Sequence, residues 1–296
     1  MWFGLSLTAL VFLAARRSSE KKISGSIPSS ALAWLQQGIA LPFIIATLFF
    51  ARFYWPSELS THYWATMAVY VFCCAIDVYC YFKALSLADI SYVAPLLSLV
   101  AAANIAGAYL VLGQKPSVHG IIGAALVVTG AYTVNWAKRG DKKNAKKNAL
   151  ALVYVLILVL IRGYYSNIEL SMVRESNPTT FNFYSSVIMV PFILLVSSTI
   201  IRRQGGQKRY WLKVRKGVGQ HFGALWFVGI TYTLNMIATY QAKVLSPNAG
   251  YVGAIKSASV LPVIFIGVVF FKEKIVRAQW YGITLIVIGL AFLAFN

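Results

Sequence analysis

A chain of 296 residues that is 59% hydrophobic and only 12% charged cannot cover a water-facing surface with polar groups, and its mean hydropathy of +0.68 makes lipid the natural solvent. Soluble domains carry roughly 25% charged residues, which excludes a separate soluble domain. The net charge of +19 speaks against nucleic-acid binding by its placement: Lys138–Lys147 and Arg202–Lys216 hold the densest clusters, each between apolar runs.

Ten apolar segments follow in order, each near the ~20 residues that cross a bilayer. They span 2–22, 30–50, 62–85, 90–112, 117–136, 149–172, 178–201, 222–244, 248–271 and 276–295. The first is apolar only to Ala15, and its charges follow the apolar run, the reverse of a cleaved signal peptide, so it stays as a helix. Arg16 and Arg17 fall in its last turns or in the loop beyond. In the third segment, Cys73, Cys74 and Cys80 lie too close together for a disulfide framework and read as small core residues. Turn and cap residues such as Gly113–Ser117, Asn177-Pro178 and Ser246–Asn248 join most neighbours. The Arg202–Lys216 stretch reads as a long basic loop. Basic loops mark the cytoplasmic side, which leaves both termini outside and brings anionic lipid headgroups into contact.

The chain repeats itself. A shift of 159 residues carries Tyr81 onto Tyr240, Tyr92 onto Tyr251, Ser98 onto Ser257, Lys115 onto Lys274, Gly123 onto Gly282 and Gly130 onto Gly289. A shift of 149 carries Glu20 onto Glu169 and Pro42 onto Pro191. The reading is an all-α integral membrane protein of about ten helices in two five-helix repeats, 1–136 and 149–296, joined by a basic linker at 137–148. An odd helix count per repeat inverts the second copy, the usual framework of alternating-access carriers.

The stretch Tyr81–Leu85 with Ser91–Leu96, its counterpart Tyr251–Lys256 with Phe271–Lys274, and the closing run Gln279–Gly289 resemble the ten-helix EamA branch of the drug/metabolite transporter superfamily. Gln114 stands where that branch usually has an acidic residue. The resemblance implies secondary transport of a small organic solute through a central cavity lined by helices one to four and six to nine.

Ionisable groups in spanning segments cost ~3 kcal/mol each on insertion scales, so each needs a reason. Asp77, Arg162, Glu169 and Lys256 are the central ones. Lys256, whose repeat equivalent is Leu97, is read as a cavity cation for a substrate carboxylate or phosphate; the competing reading pairs it with Asp77 or Glu169. Gly253 and Ser259 on its face leave room for a ligand. Glu169 is near enough to its helix end to be solvated at headgroup level. Tyr81 shares a face with Asp77, Tyr240 is its repeat partner, and Thr231, Asn235 and Thr239 form a polar stripe aimed at a cavity or a helix contact. Trp34, Gln37 and Tyr184 are weaker candidates. Glycines 123 and 130, with 282 and 289, form small-residue faces for scaffold packing or a homodimer through helices five and ten. No hydrolase triad, phosphate loop or metal cluster is legible, so no cofactor or metal is expected. The function expected is a carrier of a small anionic or zwitterionic metabolite in the cell (inner or plasma) membrane, coupled to protons or exchange. An ion channel on the same scaffold, or a polytopic enzyme or receptor, are the competing classes.

Overall fold

The computed structural model describes residues 1–23, 26–88, 93, 96–136, 145–203, 207–259, 261, 262 and 277–295. These are all-helical: α1 (Trp2–Ile23), α2 (Ser29–Leu48), α3 (Thr61–Leu87), α4 (Val100–Leu112), α5 (Val118–Trp136), α6 (Ala145–Glu175), α7 (Pro178–Arg203), α8 (Gln207–Gln220), α9 (Phe222–Leu245), α10 (Ala249–Ser257) and α11 (Arg277–Ala294), with one 3-10 turn at Pro56–Glu58. Five of them, α3, α6, α7, α9 and α11, are long and apolar enough to cross a membrane. Although 22 residues long, α1 falls outside that set because Arg16, Arg17, Glu20, Lys21 and Lys22 crowd its second half.

The helices start and stop where their chemistry says. The Ser60 hydroxyl accepts the Tyr63 N–H at the head of α3, at 3.0 Å, and Asn248 Oδ1 accepts the Gly250 N–H at the head of α10, at 2.8 Å. Gly113 closes α4 in the left-handed conformation, φ +64°, which a side chain resists. Gln114, the departure from the family's acid, has a use: its side-chain oxygen accepts the Ala249 N–H, and its backbone carbonyl accepts the Asn248 amide, both at 2.9 Å. It caps a helix of the other half. On the α2–α3 connection, Glu58 accepts from Trp55 N–H and pairs with Arg52 at 2.9 Å, which holds its carboxyl below the usual range.

Two departures from the sequence reading are local. The stretch read as a basic loop is helical over 207–220: Tyr210, Val214 and Gly217, spaced one turn apart, are buried while Lys208, Arg209, Lys213, Arg215 and Lys216 face out. Helix α8 lies against the α1–α2 turn, where Gly217 meets Ile27 and His221 bonds Ser26 at 3.0 Å. Charge obscured the periodicity. The fourth and ninth segments, read as unbroken, are interrupted: Ser98–Leu99 and Ala258–Ser259 are turns closed by three-residue-back bonds, Leu99 N–H to Leu96 O at 3.1 Å and Ser259 N–H to Lys256 O at 3.0 Å. Under the 159-residue shift the two breaks coincide to within one residue.

Packing pairs the halves throughout. Helix α1 packs on α9 and α3 on α6; α4 packs on α6 and α1 on α10; α2 packs on α9 and α3 on α7. The pairs α2–α7, α4–α10 and α5–α11 also pack on each other. Exchanging each helix for its repeat equivalent turns these nine pairings into themselves; others, such as α5 on α10, have no counterpart among the described residues. The glycine faces expected to serve scaffold or dimer meet each other: a Cβ on Gly130 would lie 2.5 Å from the Gly282 carbonyl oxygen, and one on Gly123 2.9 Å from that of Gly289. These small faces are thereby occupied within the chain.

Candidate functional site

Polar side chains gather where the halves meet. Asp77 on α3 and Arg162 on α6 form a two-pronged pair, Nε to Oδ1 at 3.1 Å and Nη2 to Oδ2 at 2.7 Å, with the Tyr165 hydroxyl donating to Oδ2 at 3.3 Å. Asp77 is 6% exposed, whereas the Arg162 side chain keeps 30%. Lys256 therefore does not pair with Asp77. Nor does it pair with Glu169: that carboxylate is buried, not solvated at headgroup level, and bonds the Lys243 ammonium, which also donates to Ser166 O at 2.7 Å and Ser166 Oγ at 2.8 Å. Lys243, 4% exposed, escapes a sequence reading because it lies in the last turn of α9, where a lysine normally reaches water.

The third pair lies on α1. Arg16 holds Glu20 at 3.2 Å and stacks over the Tyr232 ring at 5.4 Å. Arg17 Nη1 donates to Ser259 Oγ at 2.9 Å, across to the break that follows α10. Both arginines are inside α1, in its last two turns, the first of the two places the residues allow. Their signal is Glu20, four residues after Arg16, which continues the helix. Arg17 lies within Coulombic reach of Arg16, Glu20, Tyr81 and Arg162, and Lys256 within reach of Arg16, Arg17, Lys243 and Glu169. Arg162 and Lys256 are half-buried and Arg17 is exposed, so all three retain accessible surface.

Other candidates fall elsewhere. Asn235 Nδ2 donates to the Ala9 carbonyl at 2.6 Å and Thr231 to its own helix backbone, so the α9 stripe serves the α1–α9 contact. Tyr240 packs edge-on to Phe181, ring centres 5.1 Å apart, in an apolar cluster with Tyr70 and Cys74. Tyr81 stays near Arg17 and Arg162, half-buried. Tyr184 bonds the Tyr54 carbonyl on the α2–α3 connection, Trp34 meets Trp211 of α8, and Gln37 lies by Tyr232. Gly253 leaves no room for a ligand: its face admits Asn104, whose Nδ2 would lie 2.6 Å from a Cβ there. An apolar groove between α3 and α7, lined by residues such as Trp64, Phe72 and Phe192, contains no charged group and is remote from this chemistry.

Five helices long and apolar enough to cross a bilayer, with ion pairs buried between two similar halves, point to a multi-pass membrane protein. The model of the EamA-like transporter family matches residues 1–136 and 149–295, and the chain belongs to that family. That family is one of membrane transporters of small molecules, which is consistent with a chain that is not an enzyme. No curated protein matches it. One solved crystal structure, described simply as that of a protein, shares the fold with a TM-score of 0.68 and 15% identity over 99% of this chain and 96% of its own.

Proposed function

We propose that the chain is a secondary active carrier that moves a small anionic or zwitterionic metabolite across the cell membrane by alternating access. In this reading it has ten spans in two inverted five-helix repeats, 1–136 and 149–296, with the 137–148 linker and α8 on the cytoplasmic side and both termini outside. Coupling is to a proton or to a counter-solute. The observation that carries the reading is the self-exchanging helix pairing around enclosed charges: the Asp77–Arg162 and Arg17–Ser259 bonds both span the seam. Interrupted helices at equivalent places of two repeats are the usual neighbourhood of a carrier's site, and Lys256 lies at one of them.

Access tests it. With Cys73, Cys74 and Cys80 replaced, a single cysteine at position 256 is exposed to a membrane-impermeant thiol reagent from each side, with one at position 208 as control. The expected result is reaction at 256 from either face and at 208 from the cytoplasmic face alone. Position 256 closed to both faces, or 208 open to the outside of intact cells, overturns the reading.

A further inference from the structure

We infer that Arg17 and Lys256 form a subsite for a doubly negative group, so that the solute is a small organic dianion, a dicarboxylate or a phosphate monoester. The inference rests on the carrier reading above and adds the solute's charge to it.

The argument is a matching of charges. Among the described residues the seam contains three carboxylates, and each is taken by one cation: Glu20 by Arg16, Asp77 by Arg162 and Glu169 by Lys243. Two cations are left, Arg17 and Lys256, and no described carboxylate forms an ion pair with either. Among the described residues, the Arg17 guanidinium bonds a neutral partner, the Ser259 hydroxyl. The carbonyls at the end of α10 give Lys256 only a partial negative charge.

The two cations serve one turn. Ser259 is three residues beyond Lys256 and its N–H donates to the Lys256 carbonyl at 3.0 Å, so Arg17 is tied to the same turn that carries the ammonium. Two like charges at one turn repel each other, and an anion between them relieves that repulsion. A dianion neutralises both. Guanidinium fork and ammonium also differ in the way such a group needs: the fork grips two oxygens of a planar or tetrahedral anion, while the ammonium meets a third from another direction.

The fold itself does not ask for these charges. The repeat equivalent of Lys256 is Leu97, and that of Arg17 is Ser166. Both equivalents are neutral in the same scaffold, so the cations belong to what the second half of α1 and the α10 break do for this chain in particular. Arg17 and Lys256 also come from opposite halves. An anion between them would touch both, as a solute must if its binding is to favour one arrangement of the halves over the other.

Purified full-length protein is melted in succinate and in glycerol 3-phosphate, against succinamide, glycerol and sodium chloride at matched ionic strength. Binding to the folded state raises the melting temperature. The expected result is a saturable rise with one of the two dianions at least, none with the neutral analogues, and binding about tenfold or more weaker in Lys256→Met and in Arg17→Gln. A wild-type protein that responds to neither dianion beyond sodium chloride overturns the inference. So does a rise that both variants retain at wild-type concentrations. Failure here leaves the carrier reading intact if position 256 is reached from both faces. Conversely, a dianion that binds a protein closed at position 256 sustains the subsite and ends the carrier reading.

Discussion

Replacing Lys243 by methionine lowers the stability of the purified protein by about 3–5 kcal/mol, because it strands the Glu169 carboxylate in an interior with no other described cation bonded to it. Methionine keeps the length of the side chain, so the loss is one of charge and hydrogen bonds more than of packing. Three bonds go together: those to Glu169 and to both oxygens of Ser166. Adding Glu169→Leu removes the stranded charge, and the double variant recovers most of the stability. Thermal melting of the two single variants and the double variant decides it. If Lys243→Met melts with the wild type, Lys243 does not carry the charge balance assigned to it.

Arg162→Met produces the second large effect, and its size is expected to fall short of the first. Asp77 loses both prongs of its partner and keeps only the Tyr165 hydroxyl. Since the Arg162 side chain is 30% exposed, water reaches the freed carboxylate and softens the penalty to about 1–3 kcal/mol. Asp77→Leu with Arg162→Met should then melt above the sum of the single losses, with a coupling of about 1 kcal/mol or more. Strict additivity would show that the pair does not hold the two halves together. The pair joins α3 of one repeat to α6 of the other, so the same variants should also disturb transport.

Much of this architecture is legible in the residues. The paired shifts of 159 and 149 mark the two halves by themselves, because glycines, turns and prolines at fixed offsets leave little freedom in alignment. Asp77, Arg162, Glu169 and Lys256 stand out because charge in an apolar run is costly wherever it occurs. Which charge meets which is not legible. Asp77 and Arg162 are 85 residues apart and meet only because α3 crosses α6. Lys243 hides at a helix end and Arg17 at the edge of an apolar run, positions where cations ordinarily reach water. Helix α8 hides for a related reason: five exposed cations outweigh the three buried residues, Tyr210, Val214 and Gly217, that fix its face. The interruption at Ala258–Ser259 has a partial signal in Pro262, which cannot donate to the Ala258 carbonyl four residues back, whereas that at Ser98–Leu99 is announced only by Pro95 three residues before it.

Counterflow is the most direct measure of the central claim, that this chain carries a solute across a membrane. A solute that raises the protein's melting temperature is loaded inside proteoliposomes, and a trace of the labelled solute is supplied outside. A carrier exchanges one for the other, so the label should accumulate transiently above its external concentration, more slowly in Lys256→Met. Label that only equilibrates through the protein, with no overshoot, would describe a channel on this scaffold, and label that fails to enter at all would contradict the account.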